Sequence, residues 1–166
     1  MMFKALLTLF AAFIAMPIVG ATQATVRIAP SILQGPRVLE QQTEKAAIRD
    51  YLLSWQSFSS AFDQNRPELL DPAFVGSAKD KLTETIQQQA ALGIRSRYTD
   101  RTHNIQIVFY SPEGLSLELT DKVEYDVQLS DHNGVRTAQH VNSTYIIIMT
   151  PAEVRWWVRV FQAASR

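Results

Sequence analysis

The sequence contains no cysteine. Thiolate nucleophiles, thiolate-ligated zinc and disulfides are therefore excluded together, and the fold stands on packing, hydrogen bonds and ion pairs. Net charge is missing too. Lys and Arg total 16 against 16 Asp and Glu, so no global field draws the chain to nucleic acid or to an anionic membrane surface. Histidine is scarce: His103, His132 and His140 are far apart in sequence and give no compact metal-ligand spacing. The sequence thus predicts no metal site, no cofactor and no nucleic-acid partner. What is present is 46% hydrophobic and 19% charged residues in a chain of 166, the balance of one globular domain with a single core.

Residues 1–21 open on a short basic head with Lys4, continue through the apolar stretch Ala5 to Val19 and end in small residues. This is the pattern of a secretory signal peptide, cleaved after Ala21 or, as second choice, after Ala24. The rival reading is an uncleaved anchor, although the apolar run falls short of the roughly 20 residues that span a bilayer. Cleavage predicts an exported product, periplasmic or extracellular, with no membrane attachment. Residues 22–37, with Pro30, Gly35 and Pro36, lack sustained periodicity and read as a linker or N-terminal arm. Residues 38–166 remain as the domain.

From Val38 to Asn65 the apolar positions Ile48, Tyr51, Leu52, Trp55, Phe58 and Phe62 recur at three- and four-residue intervals, the face of one long helix. Asn65-Arg66-Pro67 stops it. Ser77 to Leu92 is a second helix, with Gly93 as its stop signal. Four strands follow: His103 to Tyr110, Leu115 to Leu129, Val135 to Met149 and Arg155 to Phe161. They are joined by turn sequences, of which Asn133-Gly134 is the best hairpin signal.

Counting back from the turns aligns the strands. Ile105 then lies opposite Asp121, His103 opposite Val123, and Asp121 opposite Ile146 on the following strand. One face collects Ile105, Ile107, Phe109, Leu117, Leu119, Val123, Val127, Ile146 and Ile148, joined on the last strand by Trp156, Val158 and Val160. Trp157 and Phe161 point the other way, an aromatic pair on a polar face and hence a candidate partner surface.

Asp121 interrupts the apolar face. An inward carboxylate there is desolvated and suited to acid–base work; a β-bulge at Thr120-Asp121-Lys122 would instead turn it outward. His103 and Tyr125 lie near it in this register, so Asp121, His103 and Tyr125 form the candidate catalytic set. The alternative places His103 exposed at the start of its strand.

The long helix with Tyr51 and Trp55 on its inner face, the shorter helices, and the meander closed by Trp156-x-Val158-x-Val160 together resemble the nuclear-transport-factor-2-like superfamily, which includes SnoaL-like and ketosteroid-isomerase-like proteins. The resemblance implies an α+β fold in which N-terminal helices pack on a strongly curved antiparallel meander, a cone-shaped α+β barrel. It implies a cone pocket lined by Tyr51, Trp55, Phe109, Ile146 and Trp156 for a small apolar ligand, and a homodimer through the sheet. No catalytic set of the superfamily matches this chain residue by residue. The sequence therefore reads as an exported non-catalytic binding or interaction module for a small apolar molecule or a protein partner. The alternatives are a small isomerase or lyase using Asp121 and His103, and a membrane-tethered envelope assembly factor.

Overall fold

In the computed structural model the residues described are 23–33 and 37–164. The expected leader, residues 1–21, and its first-choice cleavage position after Ala21 lie outside them; the second-choice position, after Ala24, falls within them, just before β1. A five-stranded sheet carries two helices on one face. The elements run β1 (Thr25–Ile28), α1 (Gln41–Gln64), a short 3-10 turn (Pro67–Leu70), α2 (Gly76–Ala91), β2 (Arg95–Tyr110), β3 (Leu117–Asp131), β4 (Gly134–Pro151) and β5 (Trp156–Ala163). The spatial order follows the sequence order and the sheet is not closed. β2 to β5 form the expected antiparallel meander, while β1 joins the edge of β2 in parallel and makes the sheet mixed.

α1 forms where the helical periodicity is strongest, and it buries Ala47, Ile48, Tyr51, Trp55, Phe58 and Phe62. Its end is set by Asn65, which takes the left-handed conformation (φ 54°) that asparagine tolerates better than most residues. Against this helix face the sheet presents Ile105, Ile107, Leu119, Val123, Ile147, Met149 and Val158. Each large side chain so buried contributes about 1.5–3 kcal/mol before conformational entropy is set against it.

β1 occupies part of the stretch 22–37, where four alternating residues are too few to show as periodicity. Its chain continues along β2 through Ala29 N–H to Ile105 O (2.8 Å) and Ile32 N–H to Ile107 O (3.0 Å). At the other edge of the sheet, β5 is covered: Val158 N–H donates to Ala73 O and Val75 N–H to Val158 O. Among the described residues, β1 therefore presents the sheet's open edge.

Four register shifts correct the faces expected from the turns. In β4, Arg136 is extra opposite the Leu129–Ser130 step, so Asp121 lies opposite Tyr145 rather than Ile146. Tyr145, Ile147 and Met149 turn to the core in place of Ile146 and Ile148. In β2, a bulge at Val108 brings Tyr110, not Phe109, opposite Leu117. In β5, Arg159 is extra opposite the Ile148–Met149 step, so Trp156 and Val158 face inward and, beyond the bulge, so does Phe161. A bulge adds one residue to one strand and inverts every side chain beyond it. The fourth shift, at Arg101, shapes the site.

Candidate functional site

Asp121 points inward. β3 alternates without interruption from Leu117 to Tyr125, so no bulge turns the carboxylate out, and it is 0% exposed. Ile105 lies opposite Asp121 and His103 opposite Val123, as the turn between β2 and β3 predicted. His103 is also 0% exposed and places Nδ1 2.6 Å from Asp121 Oδ2. The expectation of an exposed His103 is thereby corrected: the strand begins eight residues earlier, at Arg95, and His103 sits in its interior.

Two further groups complete the hydrogen bonding of Asp121. The Tyr51 hydroxyl donates to Oδ2 at 2.8 Å, and the Asn104 backbone N–H donates to Oδ1 at 2.9 Å. Trp55 Nε1–H in turn donates to the Tyr51 hydroxyl at 2.8 Å. Tyr125, the third member of the candidate set, does not reach Asp121; its hydroxyl lies 3.1 Å from that of Tyr145 and its ring packs on Trp55. The tyrosine at the carboxylate is Tyr51, which sequence reasoning placed in a ligand pocket.

A carboxylate the sequence did not single out holds the other side of the imidazole. Asp100 Oδ2 lies 3.2 Å from His103 Nε2. Residues three apart on a regular strand face opposite ways, but Arg101 is bulged out between the pairs Asp100–Tyr125 and Thr102–Glu124, and this returns Asp100 and His103 to one face. Burial alone would lower the His103 pKa; the hydrogen bonds to Asp100 and Asp121 outweigh it and raise the pKa to about 9. His103 is therefore an imidazolium at neutral pH, donating one N–H to each carboxylate. The same contact lowers the Asp100 pKa, whereas burial, and then the charge of Asp121, push Tyr51 well above the ordinary phenol range.

The residues expected to line a cone pocket do not assemble into one. Tyr51 and Trp55 are fully buried in the hydrogen-bonded core, Trp156 packs on Tyr110, and Phe109 and Ile146 are half-buried outside the core cluster. The concave side of the sheet is filled by rings: Trp55 contacts Phe58, Tyr125, Tyr145 and Phe161 at centroid distances between 5.4 and 5.9 Å, and Phe161 stacks on Tyr145 at 4.8 Å. Both residues of the expected partner surface are half-buried, but Phe161 packs against the core cluster and only Trp157 stays apart from it.

Space is found instead beside the cone. A cavity of about 560 Å³ runs between β1 and α1, walled by Ala24, Val26 and Ile28 on one strand face and by Ile48, Leu52 and Leu53 on the helix. Asp100 and His103 lie at its floor, with Lys45, Arg49 and Gln56 along α1. A second hollow of about 410 Å³ shares Lys45 and Arg49 with it.

No protein-family model matches the chain, and no curated protein matches its sequence. Solved structures do match in shape. The intermembrane space region of chloroplast protein ARC6 superposes with a TM-score of 0.65 at 17% identity, covering 79% of this chain and 100% of that one. A putative scytalone dehydratase from Novosphingobium aromaticivorans gives a TM-score of 0.53 at 15% identity over 76% of this chain and 89% of its own. Aln2 from a Streptomyces species gives 0.50 at 8% identity over 77% and 94%. The fold is nuclear-transport-factor-2-like. At such identities the likeness carries the fold alone. These neighbours include a putative enzyme and a region of a chloroplast protein, and the chemistry of this chain has to be read from its own residues. No helix among the described residues is long and apolar enough to cross a membrane.

Proposed function

We propose that this chain is an exported, non-catalytic binding module built on the nuclear-transport-factor-2-like fold. One observation carries the reading: both nitrogens of His103 are spent on carboxylates, Nδ1 on Asp121 and Nε2 on Asp100, with the imidazole wholly buried. A general base needs a free lone pair within reach of a substrate proton. His103 has none while it is protonated, and the concave side above it is occupied by the chain's own rings. The triad acts as a buried ionic peg that fixes α1, through Tyr51, against β2 and β3. Export rests on the signal-peptide pattern expected from the sequence of residues 1–21. Mass spectrometry of the processed protein tests that part, since an intact Met1 or Met2 terminus would make the chain tethered rather than released.

A small isomerase or lyase is the second reading, favoured by the contact of a histidine, a tyrosine and two carboxylates. The two readings differ in the reactivity of His103. With diethyl pyrocarbonate at pH 7, the exposed His132 and His140 should be modified while His103 is spared. Modification of His103 at a comparable rate would overturn the non-catalytic reading.

A further inference from the structure

Two unsatisfied features meet at the groove beside the cone. The first is a backbone edge: among the described residues β1 is the end strand of the sheet and pairs only with β2, and all four of its residues are exposed. The second is a partly uncovered apolar lining, in which Ile48 is buried, Leu52 half-buried and Leu53 exposed. Ile48, Leu52 and Leu53 on α1 face Ala24, Val26 and Ile28, which are alternate residues and share one face of the arm. Within this apolar lining Val26 is 39%, Ile28 55% and Leu53 47% exposed.

We infer that the groove takes an extended peptide segment of a partner protein, added as a sixth strand along β1, with apolar residues at alternate positions and an acidic residue at the Lys45–Arg49 end. Alternate side chains of such a strand would drop between Val26, Ile28 and the α1 stripe, while its backbone would satisfy the open edge. Free alkyl chains would use the stripe and leave the edge unpaired, which is why a peptide is favoured over a lipid. Lys45 takes part in no ion pair among the described residues, and Arg49, although it contacts Asp50, keeps a side chain 60% exposed. Both line the adjoining hollow as well, so a carboxylate at that end would meet two cations. Along α1 the groove extends from Lys45 to Gln56, roughly 16 Å at the rise of a helix. That length holds about five residues of extended chain.

This inference rests on the reading of the chain as a binding module and names the class of partner. The test is a library of random hexapeptides displayed on phage, panned against the full chain. Enriched sequences should alternate apolar and polar residues and carry an acidic residue near one end. Synthesised with a fluorescent label, they should lose at least tenfold in affinity for Lys45→Glu and for Val26→Asp, and a peptide with lysine in place of its acidic residue should regain affinity for Lys45→Glu. Lys45 is exposed, so thermal unfolding of Lys45→Glu should match the wild type and rule out loss through misfolding. Three results would each overturn the proposal: no enrichment, equal binding to wild type and Lys45→Glu, or displacement of the edge by a second copy of the chain, seen as a dimer that Val26→Asp dissociates. None of these outcomes alters the reactivity of His103, so failure here is distinguishable from failure of the non-catalytic reading.

Discussion

The imidazole of His103 is held between two carboxylates, with Nδ1 2.6 Å from Asp121 and Nε2 3.2 Å from Asp100. Asp121 is wholly buried, whereas Asp100 opens on the groove beside β1. The ion pair therefore links the core of the fold to the place where a partner would bind.

Stability should depend on pH through this group. The folded pKa of about 9 lies above the ordinary imidazole value of 6.5, so the contribution of His103 is fully present below about pH 6.5 and is lost as pH rises through 9. A shift of that size corresponds to about 3 kcal/mol. Urea unfolding at pH 6 and at pH 9.5 should show a fall of that order in the wild type, and a pH-independent midpoint across the window would contradict the protonated state.

Asp121→Asn keeps the shape of the side chain and removes its charge. It leaves the His103 imidazolium buried with only the more exposed Asp100 opposite, and breaking a buried pair in this way costs about 3–5 kcal/mol. Chemical denaturation should register the loss, and NMR titration should show the His103 pKa moved down. A variant more stable than the wild type would mean that burying the carboxylate costs more than its partners return.

Phe161→Ala should cost about 3 kcal/mol, because the ring fills the space between Trp55, Phe58, Phe74 and Tyr145. Thermal unfolding reads this directly. An unchanged melting temperature would return Phe161 to the surface.

Asp50 is buried and accepts the backbone N–H of Trp156 at 2.8 Å, tying the start of β5 to α1. Asp50→Ala should leave that N–H unsatisfied at a cost of about 1–3 kcal/mol. Hydrogen exchange at the Trp156 amide should accelerate, while Asp50→Asn, which retains an acceptor oxygen, should protect it better.

Residue pattern alone left open whether Asp121 points inward or is turned out by a bulge, and whether His103 is buried or exposed; it determined the long helix, the second helix and the antiparallel meander. Each follows from a repeat of 3.6 or 2 residues or from a turn of known loop length, and these are local properties of the chain. The pairing of Ile105 with Asp121 matches the expectation through two compensating departures: at the turn Tyr110, not Phe109, pairs with Leu117, one residue off the expected register, and the bulge at Val108 restores that register beyond it. Tertiary structure decided the rest. Arg136, Val108 and Arg159 each add one residue to a strand, and that single residue exchanges Ile146 for Tyr145, Phe109 for Tyr110 and an outward Phe161 for an inward one. The bulge at Arg101 likewise brings Asp100 onto the face of His103 and turns an expected dyad into a doubly paired imidazolium. Strand patterns are read in twos, and an inserted residue is set by how the sheet must curve around α1, a requirement that no single strand carries in its own sequence.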